Sequence, residues 1–257
     1  MRKIIKKFAA LFGLEIRRKS YSTLVPAEEI DSAIRSVEDF TMLPRERLIS
    51  LYDQVVHCER EGIEGALVEC GVWKGGAFAL MATASMRHGP GPRHVHLFDS
   101  FLDICEPDTE LDGKAALDAV VDYTNSADGK LVPLSGFYDA VGGHGTLEGN
   151  RTLLEQVIGY PPDLLHYHAG WFQETVPSIA EDIGPIAVLR LDGDWYESTI
   201  ICLHHLYDLV QTGGFVIIDD YGTYEGCRNA VDEFLSARGI HGYLHAVDAA
   251  CRYIVKG

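Results

Sequence analysis

Residues 66–76 read Ala66-Leu67-Val68-Glu69-Cys70-Gly71-Val72-Trp73-Lys74-Gly75-Gly76, an apolar run that meets an acid and then a glycine turn. The run predicts a strand over Ala66–Val72. The small residues that follow (Ala77, Ala79, Ala82, Ala84, Ser85) predict a helix over Gly76–Arg87 that can approach a sheet closely. Glycines at such a turn let the backbone bend tightly and come near a ligand with no Cβ in the way, and the helix start offers free N–H groups. The pattern is E-x-G-x-x-x-G-G. It is not the G-x-G-x-x-G dinucleotide fingerprint, whose third glycine follows sooner. Taken alone, the turn is weak evidence for a ligand, because many α/β turns need glycine for geometry only.

Downstream, strands and helices alternate, which marks an α/β fold with a parallel sheet covered on both faces. Strands are expected at Val95–Phe98, ending at Asp99; at Leu165–His168; at Ile186–Leu191, ending at Asp192; and at Phe215–Ile218, ending at Asp219 and Asp220. A helix is expected over Glu197–Val210, and another where Cys227, Ala230, Val231 and Phe234 recur at helical spacing. Tyr243–Ala246 and Arg252–Val255 read as final strands, an antiparallel hairpin at the sheet edge. Upstream, Pro44–Glu61 reads as a helix, whereas Tyr21–Asp39 shows no usable period. More than sixty residues separate the second and third strands, a length that marks a lid or binding loop. Within that connection, Glu148–Ile158 reads as a helix.

The 257 residues, 47% of them hydrophobic, suit one large domain over 41–257, preceded by a basic arm over 1–40. No apolar run approaches the ~20 residues a membrane helix needs. The formal charge of −16 is uneven. Residues 1–20 hold seven Lys or Arg against Glu15, so they carry +6 and leave −22 for the rest. An acidic body repels nucleic acid and argues against a strongly anionic substrate unless a cation intervenes. Residues 2–14 read as a basic amphipathic helix, expected to pack on the body or on a second subunit, with disorder and then contact to a membrane surface as the lesser alternatives. Cys58, Cys70, Cys105, Cys202, Cys227 and Cys251 form no C-x-x-C pair and read as reduced core thiols of a cytoplasmic protein.

The chemistry gathers at the strand ends. An acid at Asp99, one strand after the glycine turn, is placed to accept the two hydroxyls of a ribose. Glu69 is placed to orient the loop or a ligand ammonium group. Leu191-Asp192-Gly193-Asp194 and Asp219-Asp220-Tyr221-Gly222 both emerge at the carboxyl edge. Carboxylates converging there would repel each other unless a cation joins them, and oxygen-only ligands select a hard ion such as Mg²⁺ or Ca²⁺. Such an ion lowers the pKa of a coordinated hydroxyl, and a carboxylate takes the proton. Asp192 is the expected base and Asp194 its rival. The histidines, His166 and His168 on one strand among them, read as structural, with His144 in the long connection the first exception.

At these residues the chain resembles the macrocin O-methyltransferase (TylF-type) family. The resemblance is carried by LVECGVWKGGAFALMA (67–82), LFDSF (97–101), GWFQETVP (170–177), LRLDGDWYESTIICLHHLY (189–207), GGFVIIDDYG (213–222) and CRNAVDEFLSARGI (227–240). It implies a Rossmann-like class I methyltransferase fold: a mostly parallel seven-stranded sheet, helices on both faces and an antiparallel edge strand. It also implies S-adenosylmethionine as donor, Mg²⁺ as the usual ion, a sugar hydroxyl of a glycosylated natural product or glycan as acceptor, and a homodimer. Metal ligands are then expected at Asp192, Asp219 and Asp220, with Asp192 also the base. Cofactor contacts are expected at Glu69, Gly71, Gly75, Asp99 and Ser100, and near the adenine at Gly170, Trp171 and Phe172. One departure is Leu102-Asp103-Ile104, where the family commonly continues with Gly-Leu-Pro; 103–150 shares little else and is expected to shape the acceptor pocket. The rival readings are a nucleotide-dependent oxidoreductase, against which the missing dinucleotide fingerprint counts, and a non-catalytic relative that binds a membrane or partner through residues 1–20.

Overall fold

The computed structural model describes residues 24–124 and 127–257. The expected basic helix over 2–14 lies outside them. The elements are α1 (Ala27–Arg35), α2 (Arg45–Glu61), β1 (Ala66–Cys70), α3 (Gly76–His88), β2 (Val95–Asp99), α4 (Gly113–Val120), α5 (Leu147–Arg151), β3 (Leu165–Ala169), α6 (Phe172–Ile183), β4 (Ile186–Leu191), α7 (Tyr196–Leu206), β5 (Val210–Ile218), α8 (Glu225–Ala237), β6 (His245–Ala246) and β7 (Arg252–Val255). The strands form one sheet in the order β3-β2-β1-β4-β5-β7-β6. β1 to β5 run parallel, and β7 is antiparallel to both neighbours, so the expected terminal hairpin is present.

Alternation along the strands divides the core in two. Leu67, Val95, Leu97, Val188, Phe215 and Ile217 pack with α1, α2 and α3. Val68, Cys70, Phe98, Leu189, Leu191, Val216 and Ile218 pack with α6, α7 and α8. α3 is buried from Gly76 to Ser85, which explains its small residues: it packs along α2 and has no solvent face through its first turns. All six cysteines are buried and unpaired, as expected.

Several elements depart from the sequence reading, among them α4, which was not anticipated within the long connection. The helix expected to reach Val210 ends at Leu206. The chain tightens into a 3₁₀ turn at Tyr207–Leu209, and Val210 already pairs with Ile186 of β4. α1 was hidden in the unperiodic segment, yet it buries Ile30, Ala33 and Ile34. α6 was not anticipated. Val176, Ala180 and Ile183 form its buried stripe, and Pro177 sits inside it, where its missing N–H removes one bond of the ladder.

The long connection also has its own small core, in which Cys105, Ala116, Val120 and Leu134 pack on Trp195. Strand order reverses direction between β1 and β4, which leaves a crevice at the carboxyl ends of these strands, the place where open α/β sheets take ligands. Among the described residues no helix is long and apolar enough to cross a membrane.

Candidate active site

That crevice holds a cavity of about 410 Å³, within the range of roughly 300–1,000 Å³ usual for small-molecule sites. Gly71, Asp99, Ser100, Trp171 and Phe172 line it, as do Asp192, Asp219 and Asp220. Of the expected cofactor contacts, Glu69 and Gly75 are buried behind the wall, and the half-buried Gly170 is not part of it. From the long connection come Leu102, Asp103, Ile104, Cys105, Phe137, Tyr138 and Val141.

The glycine turn is built for close packing. Gly71 has φ +91°, and a Cβ there would overlap the carbonyl oxygen of Asp192, so glycine lets the tips of β1 and β4 touch. Gly75, also at positive φ, faces the side chain of Asn150. Asn150 is fully buried, and its Nδ2 donates to the Trp73 carbonyl at 2.8 Å. Asp99 closes the turn from β2. Its Oδ2 accepts the N–H groups of Val72 and Trp73 at 2.7 and 3.0 Å, and its Oδ1 accepts that of Phe101 at 2.7 Å. Burial raises its pKa, and these three backbone bonds pull it back down. Trp73, Phe101 and Asp194 are the non-glycine residues at positive φ among those described, and all three stand at strand tips around the crevice. Strain of this kind concentrates at functional sites.

Behind the wall, Arg190 of β4 is 2% exposed. Its guanidinium reaches Glu69 at 2.5 Å, Asp192 at 2.9 Å and Asp219 at 3.0 Å. Arg47 of α2 pairs with Asp219 and, at 2.7 Å, with Asp248. Glu69 therefore meets Arg190 rather than the cavity. Burial pushes its pKa up to about 8, and its second oxygen has no hydrogen-bond partner.

The expected metal residues separate into two groups. Asp192 and Asp220 converge with Asp194, one oxygen of each lying within 4.8 Å of the others, while Asp219 turns onto Arg47 and Arg190. The converging set suits a hard divalent ion, since opposite ligands of an octahedral Mg²⁺ stand about 4.2 Å apart. Oδ2 of Asp220 is buried with no hydrogen-bond partner. Burial, then the neighbouring acids, drives the pKa of Asp194 and of Asp220 well above the usual carboxylate range. A cation among these groups reverses that logic by favouring the charged forms.

Sequence reasoning missed Arg190, Arg47, Asn150 and Asp112. A signal existed for Arg190, because a charge inside the apolar run Ile186–Leu191 requires an opposite charge beside it. For Asn150 and Asp112 there was none. Asp112, in the long connection, accepts the N–H of Tyr196 at 2.6 Å and so caps α7 from a distance.

The model of the macrocin-O-methyltransferase (TylF) family matches residues 17–130 and 156–256. The chain is 34% identical over 208 residues to the 8-demethyl-8-(2,3-dimethoxy-alpha-L-rhamnosyl)-tetracenomycin-C 4'-O-methyltransferase of Streptomyces olivaceus, covering 81% of this chain and 72% of that one. It is 35% identical, with the same coverage, to the demethyldecarbamoylnovobiocin O-methyltransferase of Streptomyces niveus. Among solved structures it resembles the O-methyltransferase NovP, with TM-score 0.67 and 32% identity over 84% of this chain and 82% of that one. These matches set aside the oxidoreductase reading. The chain belongs to the macrocin O-methyltransferase (TylF) family and is an O-methyltransferase of the class I fold.

Proposed function

We propose that this chain moves a methyl group from S-adenosylmethionine to a sugar hydroxyl of a glycosylated small molecule, with a divalent ion, Mg²⁺ first, at the strand tips. The observation that carries this reading is the convergence of Asp192, Asp194 and Asp220 in the same cavity as the glycine turn and Asp99. A relative whose name gives a rhamnosyl-tetracenomycin as substrate supports the acceptor class.

Asp99 serves the ribose through Oδ1, which accepts one backbone N–H where Oδ2 already accepts two, and so keeps a lone pair for a hydroxyl. Trp171 and Phe172 flank the adenine. Gly71, Gly75, Gly170 and Ser100 shape the backbone around the donor, and Glu69 acts through Arg190. When bound, the ion would lower the pKa of the acceptor hydroxyl. Asp192 and Asp220 would hold it, and Asp194 would offer the third oxygen. Asp219, the remaining expected ligand, joins only by releasing Arg47. Asp192 takes the hydroxyl proton. A second reading gives that proton to Asp194, whose proton affinity is raised by burial and by its acidic neighbours. The two groups share the titration of one site, so variants at both positions are needed to assign it. Leu102, Ile104, Phe137 and Val141 give the acceptor side an apolar wall suited to an aglycone.

Transfer of label from methyl-labelled S-adenosylmethionine to a panel of deoxysugar glycosides, free sugars and simple phenols tests the acceptor class. The reading expects label on glycosides. Label on phenols with none on any glycoside would overturn it.

A further inference from the structure

Away from the cavity, four histidines line one face of the sheet at its β3 edge. The register sets His96 opposite His166 and Phe98 opposite His168. The rings stack in the order His94, His166, His96, His168, Phe98, with centroids 5.3, 4.6, 5.3 and 4.3 Å apart. One contact occurs twice, two residues apart. Nδ1 of His94 lies 3.0 Å from Nε2 of His166, and Nδ1 of His96 lies 3.0 Å from Nε2 of His168. The inner pair is shielded, with His96 only 6% exposed. The outer pair opens to solvent, with His94 exposed and His166 half-buried.

A nitrogen–nitrogen spacing of this size fits an N–H···N bond. It also fits two imidazoles at right-angled positions on one ion with bonds of about 2.1 Å, the tetragonal arrangement copper and nickel take. Imidazole nitrogen suits nickel, copper and zinc, whereas carboxylate oxygen suits magnesium and calcium. Neutral imidazole is the ligating form. Burial lowers the pKa of His166, and the cation of a neighbouring ring would lower it further. The stacked ring of His96 holds the ring plane of His166.

We propose that His94 and His166 form a binding site for a divalent ion of the nickel, copper and zinc class, separate from the acid cluster in the cavity and completed by water on the exposed side. The inner pair remains an N–H···N bond. An ion at the outer pair ties the residue before β2 to edge strand β3.

The test adds Cu²⁺ to the full-length protein in excess Mg²⁺, which keeps the acid cluster supplied with its own class of ion. Electron paramagnetic resonance and calorimetry then follow binding. The expected result is one equivalent of copper with nitrogen splitting in the spectrum. His94→Gln and His166→Gln should each weaken binding about tenfold to a hundredfold, and His241→Gln, on an exposed loop, should leave it unchanged. Ni²⁺ at a hundred times its Kd should raise the wild-type Tm by about 5 °C. A wild-type copper spectrum with oxygen ligands alone would overturn the proposal without recourse to any variant. So would equal affinity in the wild type and in His94→Gln, a rim position whose change leaves the fold intact.

Discussion

The guanidinium of Arg190 lies 3.0 Å from the carboxylate of Asp219, and the same buried group holds Asp192 and Glu69. One cation inside β4 thus ties the acidic tips of β1, β4 and β5 into a single array. Arg190→Met should leave the buried Glu69 without its cation, take one partner from Asp192 and from Asp219, and cost about 3–5 kcal/mol. Urea unfolding measures it, and a loss below 1 kcal/mol would show that the acids repack without the arginine.

Asp219 and Asp220 are neighbours in sequence but differ in surroundings, since one is engaged by arginines and the other faces Asp192 and Asp194. Asp220→Asn should therefore weaken Mn²⁺ binding about tenfold or more, and Asp219→Asn should weaken it less. Calorimetry compares the two. An equal or larger loss in Asp219→Asn would mean that Asp219 leaves Arg47 to become a ligand.

Gly71→Ala and Gly143→Ala separate a close approach from a merely left-handed turn. Both glycines have positive φ, but only Gly71 would drive a Cβ into backbone, while nothing lies within 4 Å of a Cβ at Gly143. Gly143→Ala should cost about 1–2 kcal/mol from backbone strain alone. Gly71→Ala should cost upwards of about 4 kcal/mol and abolish donor binding. Similar melting temperatures for the two variants would refute the assigned contact.

Much of this was legible in the sequence because it lies in periodic segments. β4 carries six buried residues in a row, and the acids follow directly at its end and at the end of β5. The glycine turn was readable as a turn, although its closest neighbour proved to be Asp192 rather than open ligand space. Contacts across long separations were not readable. Asn150 meets Trp73 over 77 residues, and Arg47 meets Asp219 over 172; neither leaves a mark in local composition. The histidines alternate visibly along β2 and β3, but only the register of the two strands turns the alternation into a ladder.

Acid should loosen that ladder. Burial, followed by the cations of neighbouring rings, lowers His96 to about 3 and His168 to about 4 from an ordinary 6.5. The unfolded chain takes up these protons near pH 6.5 while the folded one refuses them, so the stability present above pH 6.5 falls as the pH drops toward 4. Urea midpoints measured in chelator from pH 7.5 to 4.5 should fall more steeply for the wild type than for His168→Gln. Parallel curves would show that the histidines contribute nothing to acid sensitivity.

The account rests most heavily on a divalent ion among Asp192, Asp194 and Asp220. The most direct measurement is the initial rate of methyl transfer after exhaustive chelation, followed by re-addition of Mg²⁺. Loss of the hydroxyl activation that ion and base supply together should slow transfer at least a hundredfold, with recovery on adding Mg²⁺ in the wild type and none in Asp192→Asn. An undiminished rate in the chelated enzyme would contradict the account.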